Sequence, residues 1–316
     1  MMKSLRIVFM GTPDFAVTSL ESILNANYNV VGVITAPDKP AGRGRKLQES
    51  AVKQFALKKG LKVLQPTNLK DEQFIEELKT LNPTVQVVVA FRMLPKIVWS
   101  LPELGTFNLH ASLLPQYRGA APINWAIINS ETRTGVSTFF LDEKIDTGAI
   151  ILQKETDIAA DSNAGELHDK LMKIGSKLVI ETLQLIEKDK LTPTNQPLVE
   201  MLKEAPKLDK ENTRINWDRS IDQIYNLIRG LNPYPGAWSI LFNDGKQGKV
   251  KVYRCRKESA FHDTKNGSIL VEDKILKVAA QGGYIIIEEL QLPGKRKMDI
   301  KSLLNGYNFT ETAKFF

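Results

Sequence analysis

Apolar positions in the first half of the chain follow two alternating patterns. Near-unbroken apolar runs at Leu5–Met10, Asn29–Thr35 and Val85–Ala90 predict strands. Between them, apolar residues recur every three or four positions over Phe15–Leu24, Ser50–Lys59 and Asp71–Thr80, which predicts helices. In the third of these Phe74, Ile75 and Leu78 share one helical face. Strands without polar alternation are buried on both sides, and strands separated by helices predict a mostly parallel sheet between helical layers, an α/β domain. A long helix over residues 164–188 closes this part, with Leu167, Leu171, Ile174, Leu178 and Leu185 at helical spacing.

The pattern then changes. Residues 190–206 hold Pro193, Pro197 and Pro206 and little periodicity, and read as a linker between a domain of residues 1–189 and one of residues 207–316. After a short helical run at Ile221–Ile228, five strands are predicted: Ala237–Phe242, Val250–Arg256, Ser268–Val271, Ile275–Ala279 and Tyr284–Leu290. Turn signals fall at Asn243-Asp244-Gly245 and Gly282-Gly283. Five short strands suit a small β-barrel of the OB type, whose faces often bind oligonucleotides.

Composition narrows the classes. A length of 316 residues favours about two domains, and 42% hydrophobic content supports a core in each. No apolar run reaches the ~18 residues of a membrane span, and the N-terminus enters a strand at once, so no membrane role and no targeting signal are expected. One cysteine, Cys255, excludes an intramolecular disulfide and a multi-cysteine zinc site, and fits a reducing, cytoplasmic setting. The net charge is +7, and the chain from Lys203 onward carries 20 basic and 14 acidic residues, so six of the seven lie there. Positive charge gathered in one segment points to a polyanion such as nucleic acid, with a solubilising surface as the plain alternative.

Candidate chemistry lies in Phe107-Asn108-Leu109-His110-Ala111-Ser112-Leu113-Leu114-Pro115, predicted as a strand end turning into a loop. Thr134–Leu141 reads as the neighbouring strand, followed by a loop that holds Asp146-Thr147-Gly148. Two strand ends are thus expected to bring Asn108, His110 and Asp146 to one edge of the sheet. An Asn amide can donate to a developing oxyanion, a His can move a proton, and an Asp can orient and charge the His, which is what acyl transfer needs. Singly, each residue reads equally well as a turn or packing residue. His168, on a helix, and His262, in a polar loop, are expected to be solvated, and no metal site is implied. Gly11-Thr12-Pro13-Asp14 is a poor phosphate cradle, since Pro13 lacks an amide donor and Asp14 adds negative charge. The loop from Pro37 to Leu47 is basic and rich in Gly and Pro, and Arg43, Arg45 and Lys46 can reach phosphates or bases.

Taken together, Asn108-x-His110, Ser112–Pro115, Tyr117–Pro122, Trp125-Ala126-Ile127 and Asp146-Thr147-Gly148 resemble the 10-formyltetrahydrofolate-dependent formyltransferases. Phe9–Phe15, Lys39–Gly44 and Pro233–Trp238 extend the likeness over nearly the whole chain, and within the family it is strongest to the branch that acts on methionyl-tRNA. The resemblance implies a Rossmann-like catalytic domain, a C-terminal OB-like barrel, and transfer of a formyl group to the amine of initiator methionyl-tRNA. It assigns Asn108 as oxyanion donor, His110 to proton transfer and Asp146 to holding and charging the imidazole.

It also implies folate along Phe91, Arg92, Met93 and Leu94 and along Ser112, Leu113, Leu114 and Pro115. Phe91-Arg92-Met93-Leu94 departs from the nearest relatives, which often place a glycine near Arg92, toward the purine-pathway enzyme. Contacts to tRNA are expected from Arg43, Arg45 and Lys46, with Arg43 foremost, and from Lys251, Arg254, Lys295, Arg296 and Lys297. A monomer is expected. The alternative is a formyltransferase for a small amine, a glycinamide ribonucleotide or an amino sugar, sharing the same Asn/His/Asp chemistry.

Overall fold

The computed structural model describes residues 4–41 and 46–316. In chain order the first elements are β1 (Arg6–Gly11), α1 (Asp14–Asn25), β2 (Asn29–Ile34), β3 (Lys39–Ala41), β4 (Lys46–Gln48), α2 (Ala51–Lys58), β5 (Val63–Leu64) and α3 (Glu72–Thr80). Then come β6 (Val85–Val89), α4 (Lys96–Trp99), β7 (Thr106–His110), β8 (Arg118–Gly119), α5 (Pro122–Ile128), β9 (Arg133–Phe140), β10 (Ile150–Asp157), α6 (Ala164–Glu187) and β11 (Glu204–Ala205). The last set is α7 (Ile221–Leu231), β12 (Ala237–Asn243), β13 (Lys246–Ser259), β14 (Ile269–Glu272), β15 (Ile275–Ala280), β16 (Gly283–Gln291), β17 (Met298–Asp299), α8 (Ile300–Leu304) and β18 (Lys314–Phe315). The chain forms two compact units, residues 1–119, 133–157 and 168–204 in the first and residues 120–132, 158–167 and 205–316 in the second.

The first unit is built on a seven-stranded sheet in the order β10-β9-β7-β6-β1-β2-β5. β1 runs parallel to β2 and β6, and β6 to β7, as their apolar runs predict. β6 is buried along its whole length, which is why Val-Gln-Val-Val-Val shows no polar alternation. On one face Val8, Met10, Ile34 and Val88 pack with Phe74, Ile75 and Leu78 of α3. Each such side chain, fully buried, contributes about 1.5–3 kcal/mol. One expectation is corrected here: β9 is antiparallel to β7, with Phe140 opposite Phe107 and Ser137 opposite His110. The carboxyl end of β9 therefore lies at the amino end of β7, and the Asp146 loop does not leave from the same sheet edge as His110.

The second unit carries an antiparallel sheet in the order β14-β15-β16-β13-β12-β18, with β17 on β16. Lys314 of β18 pairs with Phe242 of β12 and bridges to Ser268, just before β14, so the ladder continues round a barrel and leaves little free edge. Asp244 and Gly245, both at positive φ, make the tight hairpin between β12 and β13 that the sequence signals. The interior is aliphatic, with Val250, Val252, Leu276, Val278, Ile285 and Ile287 meeting Ile221, Ile224, Ile228 and Leu231 of α7. β13 departs from simple alternation. Register shifts between Val252 and Cys255 move its phase, so Val250, Val252 and Cys255 all turn inward and Arg254 and Arg256 outward.

Candidate active site

β7 holds Asn108 and His110 two residues apart, on one face of a strand hydrogen-bonded to β6 and β9. His110 is buried, with its ring edge-on to Phe139 (6.5 Å between centroids), whereas Asn108 is half-buried. Among the described residues the Asn108 carboxamide has no protein hydrogen-bond partner. His110 Nε2 lies 2.8 Å from the Tyr117 carbonyl. A carbonyl only accepts, so Nε2 carries a proton, and the lone pair of the neutral ring falls on Nδ1.

Nδ1 faces Oδ2 of Asp146 at 3.8 Å. That is too long for a hydrogen bond, so the two groups face each other without one. The hydrogen bond that orients the imidazole comes from the Tyr117 carbonyl, and Asp146 faces the opposite ring nitrogen. Asp146 reaches this position because residues 111–119 fold back from the end of β7, where the Gly119 amide donates to Asp146 Oδ2 (2.9 Å). Tyr117 (φ 60°) and Asp146 (φ 54°) both hold left-handed backbone conformations that side chains disfavour. Gly148 is needed at its place, because a Cβ there would lie 1.7 Å from the Phe140 carbonyl oxygen.

The candidate folate segments are positioned differently. Residues Ser112–Pro115 form a loop pinned from β9 and β10. Ser137 donates to the Ser112 carbonyl (2.6 Å), accepts from the Leu114 amide (3.1 Å) and accepts from Gln153 (2.9 Å). Ser112 is fully buried with its hydroxyl on the Gln116 carbonyl, Leu114 and Pro115 are buried, and Leu113 is half-buried. Of the other segment, Met93 is 70% exposed and Leu94 joins the core. The Arg92 guanidinium donates to the carbonyls of Thr67 (2.9 Å) and Pro66 and lies over the Phe91 ring, so it ties down a neighbouring loop.

Sequence reasoning missed Gln196. Of residues 190–206, expected as a linker, those up to Glu204 belong to the first unit and are bonded along it: Thr194 bridges to Ile150, and the Tyr117 amide donates to the Lys203 carbonyl (2.6 Å). Gln196 itself donates to the carbonyls of Asp146 (2.8 Å) and Gly148 (2.9 Å). Beside it an open cavity of about 530 Å³ is lined by Arg118, Asp142, Thr147, Leu198, Val199 and Leu202 among others. Only the pairing with carbonyls distant in sequence marks Gln196, and no local motif encodes that.

Of the candidate nucleic-acid contacts, Arg43 and Arg45 lie outside the described residues, and only the backbone of Lys46 is described. In the second unit Arg254 pairs with Glu288 (3.0 Å) and Lys297 with Glu289 (3.0 Å), while Lys295 and Arg296 are exposed. Lys251 donates to the Pro235 carbonyl (2.7 Å) and belongs to a cluster the sequence did not signal. Lys249 stands 3.9 Å from the centre of the Trp238 ring, Arg214 stands 5.5 Å from it, and the Trp238 indole donates to the Lys210 carbonyl. Burial first, then repulsion from Lys251 and Lys210, holds Lys249 below the usual lysine value.

The other histidines differ from expectation. His262 Nε2 shares its proton between the carbonyls of Ala280 (3.1 Å) and Gly283 (2.9 Å), and its ring lies on Tyr284, so it is built into the barrel wall. His168 is half-buried, edge-on to Phe15. Among the described residues no group of three His, Cys, Asp or Glu is placed to hold a metal, and no helix is long and apolar enough to cross a membrane.

A buried strand histidine facing a carboxylate, with an unpartnered amide on the same strand face, is an arrangement suited to moving a group between nucleophiles. The chain belongs to the formyl transferase family, matching its model over residues 5–183 and that of the formyl transferase C-terminal domain over residues 207–308. It is 56% identical over 315 residues to a methionyl-tRNA formyltransferase of Flavobacterium johnsoniae, covering 100% of each chain. It is 51% identical over 317 residues to one of Bacteroides fragilis, covering 99% of this chain and 98% of that one. Among solved structures, HypX from Aquifex aeolicus in complex with tetrahydrofolic acid superposes with a TM-score of 0.65 at 16% identity, over 96% of this chain and 47% of that one. An N-formyltransferase from Helicobacter canadensis, bound to folinic acid and dTDP-3-aminofucose, gives a TM-score of 0.65 at 22% identity over 93% and 100%. These two likenesses are of fold.

Proposed function

We propose that this chain transfers the formyl group of 10-formyltetrahydrofolate to the free amine of methionyl-tRNA. The observation that carries the mechanism is His110 Nδ1 facing Asp146 at 3.8 Å, with Nε2 anchored on the Tyr117 carbonyl and Asn108 on the same strand face. When bound, the folate supplies the formyl carbon and the nitrogen that leaves it. As the methionyl amine bonds to that carbon and the carbon–nitrogen bond to folate breaks, one proton must pass from the amine to the leaving nitrogen. His110 takes it on Nδ1, where the Asp146 carboxylate stabilises the imidazolium, and returns it. Asn108 donates to the formyl oxygen as it gains charge, and an amide does so without changing protonation.

The donor set suits a folate held largely by backbone. The Ser112 hydroxyl, the Arg92 guanidinium and the Leu114 main chain are engaged within the protein, leaving the main chain of Ala90–Leu94, the Leu113 amide and the exposed Met93 for the ligand. The apolar wall of the cavity at Leu198, Val199 and Leu202 suits a methionyl side chain near the Asp146 loop.

The catalytic work falls to residues 1–189 with the segment up to Glu204, and tRNA binding to residues 207–316. There Lys210, Arg214, Lys249 and Lys251 offer phosphates cations that no carboxylate neutralises among the described residues. Trp238 adds an indole face amid them. Arg43, with Arg45 and Lys46, contributes from the basic loop. The initiator form of the tRNA is the substrate, the setting is the cytoplasm where translation starts, and the enzyme acts as a monomer.

The test is transfer of labelled formyl from 10-formyltetrahydrofolate by the purified chain to methionyl-tRNA, with glycinamide ribonucleotide and an amino-sugar nucleotide as competing acceptors. Transfer to methionyl-tRNA alone supports the reading. Preference for either small acceptor overturns it.

A further inference from the structure

Gln196 spends its whole side chain on the two segments that build the His110 pair. Its Nε2 donates to the carbonyls of Asp146 (2.8 Å) and Gly148 (2.9 Å). Its Oε1 accepts from Nη2 (2.7 Å) and Nε (3.2 Å) of Arg118, and the next residue, Gly119, donates to the Asp146 carboxylate. Both donors and both lone pairs of the amide are thus used.

The restraint acts where the chain needs it. Asp146 holds φ 54°, a conformation that costs a non-glycine residue free energy and persists only under restraint from its surroundings. The Gly119 amide fixes the carboxylate end of Asp146, and Gln196 fixes its peptide. A neutral amide does this without adding a charge beside the carboxylate. A lysine would partly neutralise Asp146, and a glutamate would repel it.

We infer that Gln196 is a positioning residue for formyl transfer, setting the Asp146 carboxylate against His110 from the far side of the loop. The inference rests on the role of Asp146 proposed above. The same amide joins the Arg118–Gly119 segment to the Asp146–Gly148 loop, so a proline-bearing stretch with no motif of its own closes the site.

Gln196→Ala and Gln196→Glu, each alone and combined with Asp146→Asn, test this in the full-length chain. Single-turnover formyl transfer to methionyl-tRNA is read beside the equilibrium affinity for 10-formyltetrahydrofolate, with thermal melting to confirm folding. Gln196→Glu discriminates, because its carboxylate still accepts from Arg118 but cannot donate to the two carbonyls. Both variants are expected to slow transfer by roughly 10- to 100-fold, the scale on which a small misplacement of a reacting group acts. Donor affinity should stay within about twofold, since the loss falls on the reaction path and not on ground-state binding. In the Asp146→Asn background neither should add a further loss.

Wild-type rates in Gln196→Glu, or a Gln196→Ala loss that multiplies with that of Asp146→Asn, would overturn the inference. Asp146→Asn alone at the wild-type rate would instead refute the role of Asp146, and the inference with it, so the two failures are told apart.

Discussion

The two sheets of this protein place their buried polar residues differently. In the barrel the inward positions of β13, β15 and β16 are aliphatic apart from Cys255, the buried polar Ser239 and Asn243 are on β12 and bond the C-terminal segment, and cations stand on the outside. In the first unit β6, β7, β9 and the loop after β7 bury Gln86, His110, Ser112, Ser137 and Thr138. Burying a polar group without a partner costs about 1–3 kcal/mol on mutational scales, and of these five residues only Gln86 has a buried side-chain atom, its Nε2, without a partner among the described residues. Ser112, Ser137 and His110 are each bonded to backbone carbonyls that fix the loop beside the site. Most of the barrel interior is Val, Leu and Ile. Polar groups enter a core where something must be positioned.

That contrast predicts which changes cost activity and which cost stability. Asn108→Ala should lower the turnover of formyl transfer by ~10²-fold, the scale of one lost oxyanion donor. Its affinity for the formyl donor should fall far less, and titration of the donor beside steady-state rates checks both. If binding weakens as much as turnover falls, Asn108 is a ground-state contact. In the barrel the pattern should reverse. Ile287→Ala, at a fully buried position, should cost about 2–5 kcal/mol in chemical denaturation while the folded molecules keep their rate of transfer from bound substrates.

The outer face of the barrel separates charges that act from charges already neutralised. Lys249→Ala and Arg214→Ala should each reduce the slope of log affinity for tRNA against log salt by ~1. Arg254→Ala and Lys297→Ala should change it less, because Glu288 and Glu289 already pair with them. Equal slopes for all four variants would remove the Trp238 cluster from the account. The smallest effect concerns Cys255, whose burial pushes its thiol up and away from the reactive thiolate form. Alkylation by iodoacetamide should be slow in the native protein, fast after unfolding, and should track global stability.

Much of this was legible in the residues. The runs of Val and Ile marked β1, β2 and β6, because strands buried on both faces have no polar side to show. Asp244-Gly245 marked its hairpin because few residue pairs tolerate two positive φ values in succession. Asn108 and His110 were legible as a pair from their spacing on a strand. The antiparallel direction of β9 was not, since a strand's residues record which faces are buried and not which way its neighbour runs. The bulge near Arg254 was equally silent, and it alone turns Val252 and Cys255 to the same side. Gln196 was hidden for a third reason. It acts through the carbonyls of Asp146 and Gly148, and backbone groups carry no sequence signature.

In the proposed mechanism His110 moves the proton in formyl transfer, with Asp146 facing its Nδ1 and the Tyr117 carbonyl orienting the ring. The most direct test is single-turnover transfer of labelled formyl to methionyl-tRNA by His110→Ala, with the donor saturating and its binding measured separately. The loss should be ~10²-fold or more, about 2.7 kcal/mol of transition-state stabilisation, with donor binding and melting temperature close to those of the unaltered chain. A rate near that of the unaltered chain would contradict it.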